Sequence, residues 1–388
     1  MRTRVAQFDL QDPADVWGLE DYLAAEILVR DAGVPISRMT IQINQGAGVL
    51  TAEELRQSAT EAGLVVFREP VLPADSVRPS ISVVVCTRDR PLALERCLKS
   101  LQSLRYDNFE VLIVDNASRS SETRLLVAKT PFRYLREDRP GLDWARNCGL
   151  HAAANEIVAY TDDDVRVDPD WLNGIAIGFR DHQVACVTGL VCPLELETPS
   201  QILFEQYGGM GKGLKARVFD PAELLPAVLI AAHSLGVGAN MAFRREALLQ
   251  LGEFDVHLDV GTPSNGGGDL DIFHRALAAG RIIGYEPNAL VWHQHRRSLP
   301  GLHTQVYNNG RAFGCYLLKI ASNRTIARTE VARFAAKDWI GAWLLGSLFR
   351  NEPGRTTTLI AAEFWGALHS PWAYWKTYGR VPLLSRVV

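Results

Sequence analysis

Ile157-Val158-Ala159-Tyr160-Thr161-Asp162-Asp163-Asp164 is an apolar run that ends in three consecutive carboxylates. Residues 157–160 suit a strand buried on both faces. Outward from it the pattern alternates. Ile81–Cys86, Phe109–Val114, Phe132–Leu135 and Val184–Thr188 read as further strands. Leu92–Leu104, Leu142–Ala154 and Pro169–Arg180 read as helices between them. Such βαβα alternation predicts an α/β fold with a mostly parallel sheet flanked by helices. In such sheets ligands bind beyond the carboxyl ends of the strands, which is where Asp162–Asp164 falls.

Two segments flank this unit. Residues 1–77 read as a small α+β module with a helix around Asp15–Arg30, a strand at Met39–Ile43 and a helix at Thr51–Ala62. Thr51 and Glu54 form a capping box, each side chain bonding a backbone N–H at the helix start. Pro70, Pro73 and Pro79 mark a linker to the central unit, residues 80–300. Residues 301–388 read as helical, with Trp339, Trp343, Trp365, Trp372, Tyr374 and Trp375 among basic residues. This region admits two readings: aromatic packing on the central unit, or rings at the headgroup level of a membrane surface.

The 388 residues are 47% hydrophobic with a formal charge of −3, enough for a full core and unlike a nucleic-acid binder. Cys86, Cys97, Cys148, Cys186, Cys192 and Cys315 make no paired framework and read as reduced thiols. The first residues carry no signal-like apolar stretch, and no apolar run reaches the roughly 18 residues of a spanning helix. The expectation is a cytoplasmic protein, soluble or at a membrane surface.

Adjacent carboxylates repel by about 1 kcal/mol per close pair unless neutralised. A divalent cation, Mg²⁺ or Mn²⁺, does this with one or two carboxylates and leaves positions for substrate phosphates; a solvated acidic turn is the alternative. Asp115-Asn116 ends a second strand at the same edge, as a turn and cap or as a nucleotide contact. The first strand runs into Cys86-Thr87-Arg88-Asp89-Arg90, where Arg88 is a candidate phosphate contact. Gly141 opens a helix that carries Arg146 in its first turns, a favourable place for an anion. Trp292-His293-Gln294-His295 follows another strand, and alternation puts both histidines on one side, toward the metal or packed beside Trp292.

These motifs together resemble family 2 glycosyltransferases: Cys86-Thr87-Arg88, Asp115-Asn116-Ala117-Ser118, Gly141 with Ala145-Arg146-Asn147, and a D-x-D at Asp162 and Asp164. The resemblance spans about residues 80–295. It implies a GT-A fold and inverting transfer of a sugar from a nucleotide-diphosphate donor, UDP favoured, to a hydroxyl in glycan, polysaccharide or glycolipid biosynthesis. Thr87, Arg88, Asp115, Asn116, Gly141, Arg146, Asp162 and Asp163 would then line the nucleotide. Asp164, Asp162 and His293 would hold the metal. Gly266-Gly267-Gly268-Asp269-Leu270-Asp271 resembles the family's G-E-D-x-D stretch, which makes Asp269 the general base; the preceding glutamate is Gly268 here. Asn240, Asp271 and His295 would border the sugar or acceptor, itself a glycan, a lipid-linked group or a small molecule.

Two other classes compete. A nucleotidyltransferase would favour a glycine-rich basic loop after the first strand, and residues 86–91 hold no glycine. A sugar-nucleotide-binding protein without transfer would use Asp269 only as a helix cap.

Overall fold

The nine-stranded sheet at the centre of the computed structural model follows from strands that are apolar on both faces. The structure describes residues 2–64, 78–350 and 354–379; Pro70 and Pro73 of the expected linker lie outside them. In Ile81–Thr87 (β4) all residues are buried. Ile81, Val83 and Val85 join one core with Leu94 and Trp171, whereas Val84 and Cys86 join another with Leu150 and Tyr160. Helices Pro91–Leu101 (α2), Leu142–Ala152 (α3) and Trp171–Gly178 (α4) cover those faces. This is helix–sheet–helix layering, as the alternation predicts.

Phe109–Asn116 (β5), Arg133–Glu137 (β6) and Ile157–Asp162 (β7) complete a parallel half with β4, in the order β6-β5-β4-β7. Beyond β7 the sheet is mixed. Val165–Val167 (β8) lies at the far edge beside Ile282–His293 (β11), and Val184–Pro193 (β9) pairs parallel with β11. Asn240–Arg244 (β10) is inserted antiparallel between β9 and β7. Asn240, expected to border the sugar or acceptor, begins this central strand. The carboxyl ends of β4, β5 and β7 meet along one edge, where Thr87 is in register with Asp115 and Cys86 with Asp162.

The N-terminal module corrects one expectation. No helix occupies Asp15–Arg30: Ala24–Asp31 (β2) is a strand, parallel to Thr3–Asp9 (β1) and antiparallel to Val34–Gln42 (β3). Its Ala-Ala-Glu-Ile-Leu composition favours a helix locally, but both faces are used. Ala25, Ile27 and Val29 pack with Leu55, while Leu28 packs on Leu190, Leu290 and Trp292 of the central sheet. Burial decides against propensity here. Ala52–Glu61 (α1) starts with the expected capping box.

At the other end Leu299–Asn323 (α7) and Thr357–Tyr378 (α8) pack closely. A side chain at Gly310 would strike the Glu363 carbonyl, and one at Gly366 the Tyr307 carbonyl, so only glycine permits this approach. The six cysteines are free thiols.

Candidate active site

The acidic cluster sits where β7 leaves the sheet. Asp163 is turned inward, accepting from the Thr87 hydroxyl (2.7 Å) and Arg90 Nη1 (2.6 Å). Arg90 also reaches Asp164, with Nη2 2.7 Å from Oδ2. The other Asp164 oxygen faces His293 Nε2 at 3.4 Å. Asp162, Asp164 and His293 each offer a ligand atom within 4.8 Å of the others, a set that fits a divalent cation. Burial pushes Asp162 up to about 6 and Asp163 up to about 7. Asp164 lies below its ordinary value because His293 and Arg90 outweigh burial. Burial lowers His293 to about 4, so its imidazole is neutral and able to bind a cation.

A second layer of charge lies beneath. Arg146 is buried and donates to Asp143 Oδ1 (2.9 Å). The other Asp143 oxygen has no partner and faces Gly268, where any Cβ would stand about 2.0 Å from it. Asp259 accepts from the Asp143 backbone N–H (2.9 Å) and lies so close under Gly141 that a Cβ there would clash. Asp269 opens helix Gly268–Ala278 (α6), half-buried, with Oδ2 accepting from the Gly238 N–H at 2.9 Å. Carboxylates therefore outnumber the cations Arg90 and Arg146, an imbalance that a bound cation relieves. Asp259 and Lys212, on whose ammonium the Asp269 carboxylate acts, carry no motif in the sequence, and Asp143 sits unmarked inside the Gly141–Asn147 stretch.

On the nucleotide side Asp115 is buried. Its Oδ2 accepts from the Tyr134 hydroxyl (2.7 Å) and Arg136 Nη1 (3.0 Å), while Oδ1 has no partner. An orphaned acceptor costs about 1–3 kcal/mol, which a ligand N–H would offset.

Several expected contacts are redirected. Thr87 and Asp163 bond each other rather than facing outward. Asn116 clamps the turn, accepting from the Gly141 N–H and donating to the Arg139 carbonyl, each at 2.8 Å. Arg88 is exposed, and Arg90, the first residue before α2, supplies the cluster's guanidinium. Arg146 turns inward to Asp143. Asn240 donates to the Leu190 and Ala289 carbonyls and accepts from Trp171, so its amide is consumed inside the sheet and not free for a sugar. Asp271 is buried against Arg275 (2.8 Å) and Lys319 (2.6 Å); Lys319 also holds Asp255, which accepts from Tyr378. His295 bonds His293 and Glu205 rather than opening to an acceptor.

The architecture defines a GT-A protein. PcManGT, a mannosyltransferase from Pyrobaculum calidifontis solved with GDP-Man and Mn2+, matches with a TM-score of 0.51 over 79% of this chain and 91% of that one. At 21% identity this likeness speaks for the fold. Residues 82–252 match the model of glycosyl transferase family 2, and the chain carries a domain of that family. A pre-mycofactocin glycosyltransferase of Mycobacterium tuberculosis is 29% identical over 59% of this chain and 46% of its own length. The succinoglycan biosynthesis protein ExoM of Rhizobium meliloti is 26% identical over 62% and 76%. The chain thus spans about half the length of the first relative.

Proposed function

We propose that this chain transfers a sugar from a nucleotide-diphosphate donor to an acceptor hydroxyl, with inversion. The observation that carries this is the convergence of Asp162, Asp164 and His293 at the sheet edge of a family 2 domain. Held by these residues, Mn²⁺ or Mg²⁺ would neutralise charge on the leaving diphosphate. Asp115 Oδ1 is the acceptor for an N–H of the base, uracil being favoured. Asp269 is the general base, taking the proton of the acceptor hydroxyl as its oxygen attacks the anomeric carbon. A single carboxylate suffices for inversion, because no covalent glycosyl-enzyme forms. The names of the relatives support an acceptor that is a growing glycan, a lipid-linked group or a small molecule. Thermal unfolding with UDP-, GDP- and dTDP-sugars, with and without Mn²⁺, tests the site. A ligand of the native state raises the midpoint by mass action. One nucleotide should stabilise the protein in a metal-dependent way, and Asp164→Ala should abolish the effect. Asp269→Asn should keep the shift while turnover falls about 10²–10⁴-fold. Full turnover in Asp269→Asn would remove it as base, and no shift with any donor would point to a protein that does not use one.

A specific observation favours an acceptor at a membrane surface. Trp365, Leu368, Trp372 and Trp375 are exposed by 54–67% on α8. They lie within about 100° of the helix circumference, opposite its buried side. The sole acid of α8, Glu363, is buried, and Lys376 stands over Trp372. Indoles beside a lysine suit the headgroup boundary of an anionic bilayer. Among the described residues no helix is long and apolar enough to cross a membrane. The chain should float with vesicles of phosphatidylcholine and phosphatidylglycerol, and a W365S/W372S/W375S variant with unchanged melting should not. A wild-type protein that stays unbound, or dimerises through these tryptophans instead, contradicts this contact.

A further inference from the structure

The N-terminal module has no motif, yet a continuous line of side chains runs from it to the acidic cluster. Arg38 on β3 donates from Nη2 to Glu205 Oε2 (3.1 Å) in helix Pro199–Tyr207 (α5). Glu205 Oε1 lies 2.9 Å from His295 Nε2. His295 Nδ1 lies 3.1 Å from His293 Nδ1, and His293 Nε2 faces Asp164. Both histidines are buried, and the edge of Phe204 holds the His295 ring.

With a neutral His295, Glu205 sets the proton directions along this line. Glu205 accepts only, as a carboxylate, so a neutral His295 must carry its proton on Nε2. Its Nδ1 is then an acceptor, and His293 must donate from Nδ1. That leaves the lone pair of His293 on Nε2, aimed at Asp164 and the cation position. The opposite order would set the His295 Nε2 lone pair against the Glu205 carboxylate at 2.9 Å. This order instead leaves His293 Nε2 and Asp164 Oδ1 3.4 Å apart, with the cation position between these two acceptors. Arg38 supplies the countercharge that keeps Glu205 in the acceptor role, and Glu26 in turn holds Arg38 Nε at 2.9 Å.

We propose that Arg38, Glu205 and His295 form a positioning relay through which the N-terminal module fixes the tautomer and ring orientation of His293 for cation binding. The relay rests on the reading of Asp162, Asp164 and His293 as a cation site. Partners of this kind typically change metal affinity 10–100-fold when removed.

Two measurements on the full chain test it. In ¹⁵N NMR spectra of histidine side chains, His293 should be the Nδ1–H tautomer, and Glu205→Gln should turn it into a mixture. That readout needs neither metal nor activity, and an unchanged near-UV circular dichroism spectrum separates it from a general loss of packing. In Mn²⁺ titrations followed by electron paramagnetic resonance, Glu205→Gln and His295→Phe should each weaken binding about 10–100-fold. The double variant should be no weaker than the worse single one. Arg38→Ala should weaken binding less, with partial recovery in Arg38→Lys, and near-UV circular dichroism should match wild type throughout. Folded variants that bind Mn²⁺ like wild type, while His293→Ala loses it, would overturn the relay and leave the cation site standing. A wild-type chain that binds no Mn²⁺ would overturn both.

Discussion

Asp143 holds its carboxyl away from solvent, with one oxygen on Arg146 and the other facing Gly268 alone. Burial drives its pKa up to about 8, Arg146 works the other way, and Asp259 and Asp269 add to the rise. The unfolded chain loses this proton near the ordinary 3.8, the folded one near 8, so the folded state binds the proton more tightly between the two. Stability contributed by the group therefore falls as pH rises through that window. Asp143→Asn removes the titration. The stability of wild type minus that of the variant should decrease from about pH 4 to about pH 8, measured by urea unfolding at a series of pH values. A flat difference would show that the carboxyl is ionised throughout. The same contact explains the departure at Gly268. The position where the family carries glutamate abuts Asp143, and any side chain there would displace it. Nothing near Gly268 in sequence announces this, because the carboxyl arrives from the helix after Gly141. Asp162, Asp164 and His293 were legible for the opposite reason: Asp162 and His293 end strands whose apolar runs fix their place and direction, and Asp164 follows in the turn after the first.

The sheet shows the same division between what periodicity reveals and what it hides. The strands at Ile81, Phe109 and Ile157 declare themselves because burial on both faces demands unbroken apolar runs. Asn240–Arg244 escaped reading, since it is short and begins with an amide. That amide is what lets it sit there. Asn240 bonds the Leu190 and Ala289 carbonyls where the β9–β11 ladder is shifted in register, and takes the Trp171 indole from α4. Asn240→Ala should cost roughly 2–4 kcal/mol by leaving buried groups unpaired. Its metal affinity should match wild type, in contrast to His293→Ala. A calorimetric midpoint close to wild type would show that the sheet closes over this gap. The strand Ala24–Asp31 was misread for a related reason: its composition suits a helix, and only its partners on both sides make it a strand.

Across the molecule, Lys319 connects the C-terminal helices to the helix of Asp269. Its ammonium lies 2.6 Å from both Asp255 and Asp271, and Tyr378 donates to Asp255. Asp271 and Asp255 keep pKa values below the ordinary carboxylate range, because this ammonium and its neighbours outweigh burial. Lys319→Met should destabilise the protein by about 3–5 kcal/mol, since it removes the ammonium shared by two buried carboxylates and leaves Asp271 with Arg275 alone. Turnover should fall with it as the first turn of α6 loses its anchor. Unaltered unfolding in Lys319→Met would mean that water reaches the pair. None of this could be read from the last segment's composition, where the tryptophans stand out and the lysine does not. The network also dictates an order of assembly on the ribosome. Residues 255 and 271 emerge long before residue 319, and residue 378 comes later still. A nascent chain holding only the central unit has Arg275 for Asp271 and His257 for Asp255, but lacks the ammonium that lies between the two carboxylates. The helix that carries Asp269 should therefore gain its last anchor only once residue 319 has reached it.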